Sequence, residues 1–145
     1  MRFTTKTEYG LVCLIYMARR YPEMVTIKEI VAKERFSLTY IEKILQSLRE
    51  GNIVISHKGK QGGYSLAKPP EKITLREVIE SLEGKTFDVY CEPEIRSHIV
   101  CTHFCMCGIR PIWQKTKTLL DQFFDSVTLA TVAREEPQVM GVMAK

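Results

Sequence analysis

The chain has 145 residues, 45% of them hydrophobic and 26% charged, with a formal net charge of +4. This balance is ordinary for one globular domain with a single core, and it argues against global disorder. The longest apolar run, residues 10–18, is well short of the roughly 20 residues that a membrane-spanning helix needs. Because that run also lacks a small-residue cleavage site, we expect a cytoplasmic protein without a membrane segment, whose thiols stay reduced rather than forming disulfides.

The charge is unevenly distributed along the chain. Residues 1–85 carry fifteen Lys and Arg against ten Asp and Glu, whereas residues 86–145 carry six against seven. This asymmetry predicts an anionic partner for the first part, most often a nucleic acid. A solvated basic surface is the plainer alternative.

The first half of the chain reads as three helices. Residues 4–20 are strongly apolar in their second half and end in two arginines, which suits a helix C-terminus. Thr26 and Glu29 have the spacing of a capping box and open a short helix, which a break at residues 35–36 ends. A further helix over residues 37–50 has apolar residues at helical spacing, and Gly51 stands where a C-terminal glycine belongs.

The spacing of apolar residues then changes from the helical period to the alternation that is typical of strands. Two short alternating stretches, near residues 53–55 and 64–66, flank the turn HKGKQGG. A second capping box, at Thr74, opens a helix that closes at Gly84. We read residues 91–107 as a loop, because they lack usable periodicity. A long helix follows over residues 109–126, then a short helix over residues 128–134 and a tail.

The elements predict a mostly α fold with a small β-hairpin wing, that is, a winged helix-turn-helix joined to a long helix. We divide the chain into a winged helix-turn-helix region, a cysteine-rich loop, a long helix with a short C-terminal helix, and a tail, at residues 1–84, 85–108, 109–135 and 136–145.

This pattern is typical of DNA-binding proteins, because the first turn of the second helix of such a motif reaches base edges in the major groove. The polar side chains that the sequence offers there are Ser37, Thr39, Tyr40, Glu42 and Lys43. Lys58 and Lys60 at the wing tip suit phosphates or the minor groove. Between residues 35 and 68 there are six Lys and Arg against two acids, so the positive charge falls on the proposed binding element. A small α+β core that binds protein is the alternative.

The stretch FSLTYIEKILQSLREGNIVISHKGKQGGYSLAKPP, between MRFTTKTEYGL and ITLREVIESLEG, resembles the Rrf2 family of bacterial transcription regulators, of the iron–sulfur-binding type (IscR-, NsrR- and RirA-like). The resemblance covers nearly the whole chain. It implies a homodimer that packs through the long helix and reads a palindromic promoter site in double-stranded DNA. The wing reads GKQGGY where relatives commonly have GPGGGY, which leaves the operator sequence open.

The resemblance also implies a cluster held by three cysteines and one further ligand. Cys107 and Cys101 fall at the third and second family positions, and Cys91 at the first, with nine residues between it and Cys101 rather than the family's shorter gap. Arg110 stands where one subfamily has a ligating histidine. The fourth ligand is therefore left open between Glu8 of the partner chain, Cys105 and His103.

Soft thiolate donors suit either a 2Fe–2S or a 4Fe–4S cluster. Zinc is the alternative metal, although its sites usually come as Cys-x-x-Cys pairs, which this chain lacks. A metal-free thiol switch with Cys105 and Cys107 as a redox pair is a third reading. We interpret Cys13, in an apolar helix, as a small buried hydrophobe.

Since no nucleophile elbow, phosphate loop or zinc-protease motif is present, we do not expect an enzyme. The sequence thus predicts a dimeric transcription regulator, a repressor in its expected mode, that senses iron–sulfur status, redox state or nitric oxide. The alternatives are a metal-free thiol-responsive regulator of the same fold and a zinc-stabilised protein-interaction module.

Overall fold

The computed structural model describes residues 3–89, 91, 101–103 and 106–144. Seven α-helices lie within these ranges: α1 (Thr5–Arg19), α2 (Ile27–Glu34), α3 (Leu38–Glu50), α4 (Leu75–Glu83), α5 (Ile109–Ser126), α6 (Leu129–Val132) and α7 (Glu136–Met143). Two antiparallel strands, β1 (Val54–His57) and β2 (Gly63–Leu66), form a hairpin between α3 and α4, and a 3-10 turn at Pro70–Lys72 follows it. The prediction of a mostly helical winged fold is confirmed.

Both predicted capping boxes are formed. At α2 the Glu29 N–H donates to Thr26 Oγ1 at 3.2 Å, and the Thr26 N–H donates to the Glu29 carboxylate at 2.6 Å. The same reciprocal pair joins Thr74 and Glu77 at the start of α4, at 2.9 and 3.2 Å. These bonds satisfy N–H groups that a helix start leaves without partners, which is why the sequence signature located both helices correctly.

The core lies where α1, α3, α4 and the hairpin meet. Each element contributes the apolar face that its periodicity predicted, and residues from α2 and α6 complete the cluster. The large side chains that are fully buried there include Leu14, Met17, Ile30, Ile41, Ile44, Leu45, Leu48, Ile53, Ile73 and Leu129.

The chain after α5 returns to this core. The Leu75 N–H donates to the Val127 carbonyl and the Leu129 N–H donates to the Ile73 carbonyl, both at 2.8 Å. These bonds tie the end of the long helix to the start of α4. By contrast, α5 exposes several large apolar side chains along its length, Ile109, Ile112, Trp113, Leu119 and Phe123.

Three details differ from the sequence expectation. Gly51 ends α3 with φ −79°, and the left-handed residue is Asn52, at φ 58°. Glycine is needed at position 51 for a steric reason and not for its backbone conformation: an added Cβ would lie 2.6 Å from Ser81 Cβ on α4. The first strand begins one residue later than predicted. The C-terminal tail contains α7, an exposed helix that the sequence analysis did not predict.

No helix within the described ranges is both long and apolar enough to cross a membrane.

Candidate nucleic-acid interface and cysteine segment

The break between α2 and α3 is a left-handed turn at Arg35, with φ 57° and ψ 33°. The turn allows α3 to begin a few residues after the end of α2. Phe36, which follows the turn, stacks on Tyr9 of α1 with ring centroids 4.0 Å apart and so fixes the turn to α1. The α3 residues that face inwards, Ile41, Ile44, Leu45 and Leu48, are fully buried. The opposite face of α3 is therefore fixed in orientation by the core beneath it.

Most of the predicted reading residues lie on that outer face. Ser37, Thr39, Glu42 and Lys43 are exposed. The Ser37 hydroxyl makes no cap hydrogen bond in the described structure, so α3 does not use it to close its own N-terminus. Tyr40 differs because it is half-buried and its ring meets the edge of Tyr9 at a centroid distance of 5.6 Å. Tyr40 thus links α3 to α1 as well as bordering the outer face.

The wing places its two predicted lysines at the surface. The turn between β1 and β2 is closed by a hydrogen bond from the Gly62 N–H to the Gly59 carbonyl at 3.0 Å, and Gly59 has φ 131°, a conformation that favours glycine. Lys58 and Lys60 lie on either side of Gly59 and are exposed. Across the hairpin, His57 Nε2 lies 2.8 Å from Ser65 Oγ.

A backbone bridge fixes the wing to the rest of the head. The Val25 N–H donates to the Tyr64 carbonyl at 2.8 Å, and the Tyr64 N–H donates to the Val25 carbonyl at 2.7 Å. Gly63 passes so close to this pair that an added Cβ would lie 3.0 Å from the Val25 carbonyl carbon. The GGY signature of the wing therefore has a steric reason: the second glycine lets the strand reach the connection between α1 and α2.

A hollow of about 430 Å³ separates the wing from the first turn of α3. Its walls come from the start of α2, from α3 and from the inner side of the hairpin. They include Lys28, Leu38, Glu42, Lys60, Gln61 and Tyr64. The outer face of α3 and the lysine-bearing wing tip thus flank one concave surface, which is the geometry that a DNA duplex requires of a winged helix-turn-helix.

Glu8 is exposed on the first turn of α1. Glu83, at the end of α4, fixes that turn: its carboxylate accepts the Thr4 N–H at 3.1 Å and the hydroxyls of Thr4 and Thr7. Burial opposes ionisation of Glu83, but these hydrogen bonds and nearby Lys6 outweigh it and hold the pKa of the carboxyl below its ordinary value. Glu8 is therefore exposed on a helix start that is fixed to the end of α4.

The cysteine segment is described in part. Cys91, Cys101 and Cys107 are free thiols, each half-buried, and His103 is exposed. Cys105 lies outside the described residues. No three His, Cys, Asp or Glu side chains in the described ranges are grouped so that they could hold a metal ion. The structure thus shows three free, partly accessible thiols that form no three-residue metal site with the other described side chains of one chain.

Cys13 belongs to the core, as the sequence predicted. It is fully buried, and burial, together with the negative charge of Glu34, raises the pKa of its thiol to about 12. Because the thiolate is the reactive and metal-binding form, Cys13 is excluded from the chemistry of the other cysteines.

Sequence reasoning missed the contacts that join α4 to α5. Arg76 donates to Glu80 Oε1 at 2.9 Å and to Asp125 Oδ2 at 3.0 Å, and it lies 3.7 Å from Asp121. Asp121 also accepts the hydroxyl of Thr86, just after α4. The spacing of Arg76 and Glu80 was visible as an i,i+4 pair, but nothing local in the sequence pointed to partners on α5.

Comparison with known proteins identifies the family. The chain is 31% identical over 136 residues to Protein rrf2 of Nitratidesulfovibrio vulgaris strain Hildenborough, which covers 93% of this chain and 89% of that protein. Among solved structures it resembles CymR, the global cysteine regulator of B. subtilis, with a TM-score of 0.74, 28% identity and coverage of 92% and 96% of the two chains. It also resembles T. potens IscR, with a TM-score of 0.67, 26% identity and coverage of 100% and 89%.

The model of the Rrf2 family, described as iron-dependent transcriptional regulators, matches residues 3–135. The resemblance inferred from the sequence is confirmed, and so is the prediction that the chain is not an enzyme. The chain belongs to the Rrf2 family of transcriptional regulators.

Proposed function

We propose that the protein is a homodimeric regulator, a repressor in its expected mode, that reads a palindromic promoter site in the cytoplasm through α3 and the wing. The observation that carries this proposal is the concave surface between them. The exposed residues Ser37, Thr39, Glu42 and Lys43 on α3 suit the edges of bases in the major groove. The exposed Lys58 and Lys60 suit phosphates or the adjacent minor groove.

Salt dependence tests this role. Each phosphate that a lysine neutralises releases counterions, so the logarithm of the binding constant falls with the logarithm of salt concentration by about 0.9 per contact. We expect Lys58→Ala and Lys60→Ala each to weaken binding to promoter fragments and to lower the slope by about 1. Lys72→Ala, an exposed lysine on the 3-10 turn, serves as the control and should change neither quantity. Binding that is insensitive to salt and to both wing lysines would refute DNA reading and favour a protein-interaction module.

The exposed stripe of α5 supports the homodimer. This stripe leaves apolar surface exposed to water, and a second copy of the same helix would cover it. It consists of Ile112, Trp113, Leu119 and Phe123. Leu119→Glu should convert the dimer to monomer in sedimentation experiments, whereas Gln114→Glu, at an exposed polar position about 140° around the helix from Leu119, should not. A Leu119→Glu protein that stays dimeric would place the interface elsewhere.

We further propose that the regulator senses iron–sulfur status, oxidant or nitric oxide. The donor chemistry fits an iron–sulfur cluster, because Cys91, Cys101 and Cys107 are free, partly accessible thiols. When bound, such a cluster supplies a centre whose charge and integrity respond to oxidants and nitric oxide. The three cysteines would hold it with Glu8 of the partner subunit, Cys105 or His103 as the fourth ligand.

The contacts of α1 connect such a site to α3, the DNA-reading helix. Glu8 is followed by Tyr9, whose ring stacks on Phe36 and meets the edge of Tyr40 on α3. A shift of the first turn of α1 on loss of a Glu8 ligand would therefore reach the turn before α3 and α3 itself. This is the kind of local event that biases a two-state element.

A metal-free thiol regulator of the same fold is the second candidate. It is supported by the likeness to CymR, the global cysteine regulator of B. subtilis, and by the free, partly accessible thiols of Cys91, Cys101 and Cys107. In that case oxidation of the accessible thiols, rather than cluster loss, would change DNA affinity.

Metal content separates the two candidates. Protein purified without oxygen should contain matched iron and sulfide and show a visible absorption band. Replacing Glu8 or Cys105 by Ala then identifies the fourth ligand, with Glu71→Ala, an exposed acid remote from the cysteines in sequence, as the control. Protein that contains one zinc per chain, or no metal after cluster reconstitution, would refute iron–sulfur sensing.

A further inference from the structure

One apolar side chain of α3 is partly exposed to solvent. Whereas Ile41, Ile44, Leu45 and Leu48 are fully buried, Leu38 in the first turn is 43% exposed. It is flanked by the exposed residues Ser37 and Thr39. An exposed leucine is unremarkable by itself, but this one lies among the residues that reach base edges in a winged helix-turn-helix.

The residues around Leu38 restrict the kind of ligand that could cover it. It lines the hollow between α3 and the wing together with Glu42, which is one turn further along the same side of the helix. Lys28 and Lys60 also line the hollow. A ligand that fits this lining carries negative charge near the lysines and a small apolar group against Leu38.

We propose that Leu38 reads thymine in the operator by packing against the C5 methyl group in the major groove. That methyl is the apolar group that the major groove presents, and it distinguishes a T·A pair from the other base pairs. Glu42, beside it, suits the amino group of a neighbouring cytosine, because a carboxylate accepts from N4. The inference rests on the proposed DNA-reading function and adds a specificity-determining residue that the polar pattern of the sequence did not include.

The test removes the methyl group from the DNA and leaves everything else unchanged. Duplexes that bind the wild-type protein are first selected from a random pool, and each thymine of the selected site is then replaced by deoxyuridine. Burial of one methyl group predicts binding about fourfold weaker per half-site at one thymine position. With Leu38→Ala, the ratio of affinities for the thymine and deoxyuridine duplexes should fall to about one.

Two control variants separate this role from general effects. Ile55→Ala removes a similarly exposed apolar side chain, 46% exposed on β1, which does not line the hollow, and it should leave the ratio unchanged. Thr39→Ser removes the neighbouring methyl group of α3. If Thr39→Ser abolishes the ratio and Leu38→Ala does not, thymine is read by Thr39 and the proposal is wrong.

The remaining outcomes are also decisive. Deoxyuridine without effect at every thymine overturns the role of Leu38 while leaving DNA reading intact, because the selected duplexes still bind. A pool from which no sequence is enriched overturns the proposed function itself. The deoxyuridine series uses the wild-type protein, so a Leu38→Ala chain that fails to fold does not prevent the test.

Discussion

The close approach of Gly63 to the Val25 backbone predicts a defined cost for Gly63→Ala. The added Cβ would lie 3.0 Å from the Val25 carbonyl carbon and closer still to its oxygen. These are backbone atoms in a bridge with hydrogen bonds of 2.7 and 2.8 Å, so the contact cannot be relieved by a side-chain rotation. Overpacking of this kind costs about 1–3 kcal/mol, and the lower chain entropy of alanine in the unfolded state returns about 0.4–1 kcal/mol.

The expected net loss is about 1.5 kcal/mol in the free energy of unfolding, which corresponds to a decrease in Tm of about 3–6 °C for a chain of this size. Thermal unfolding followed by circular dichroism measures it. Gly141→Ala is the matched control, because an added Cβ there meets no atom within 4 Å and alanine favours the helix. A Gly63→Ala protein as stable as the wild type would refute the steric account of the GGY signature.

Three further predictions concern charge and thiols. Because the pKa of Glu83 is lowered in the folded state, its stabilisation is present above the ordinary carboxyl value of 4.5 and is lost as pH falls through the folded pKa. Urea unfolding at pH 7 and at pH 4 should therefore show a smaller difference for Glu83→Gln than for the wild type. Arg76→Met should lower the free energy of unfolding by about 1 kcal/mol, less at high salt, and equal losses at low and high salt would contradict the role of its ion pairs with α5. With iodoacetamide at pH 8, peptide mass spectrometry should find Cys107 alkylated and Cys13 unmodified in the native, metal-free protein, whereas rapid alkylation of Cys13 would contradict its burial.

The features that the sequence predicted well are those that depend on neighbours in the chain. Thr26 with Glu29, and Thr74 with Glu77, each specify a helix start through residues three apart. The apolar period of α3 and the glycine-rich turn of the wing are local in the same sense. These signals were enough for the order of the elements from α1 to α6 and for placing Ser37, Thr39, Glu42 and Lys43 at the surface, but not for α7 or for the half-buried position of Tyr40.

What the sequence could not supply depends on residues far apart in the chain. Glycine is needed at position 63 because the Val25 backbone passes too close for a side chain. The first turn of α1 is held by hydrogen bonds to Glu83, which is far away in the sequence. The exposure of Leu38 depends on how α3 lies against the wing, and an apolar residue in an apolar helix face gives no local sign of it. For the cluster, the ligand set inferred from Cys91, Cys101 and Cys107 stays a prediction, since the described part of one chain does not assemble it.

The two bonds that tie the end of α5 to the start of α4 have a consequence for how this architecture changes during evolution. Together with Arg76, they join the long helix to the head without using any residue between 89 and 108. The segment between α4 and α5 can therefore gain or lose residues while both helices stay where they are. A longer gap between its first two cysteines, or a different number of cysteines, would change this segment and leave the contacts between α5 and the head unchanged.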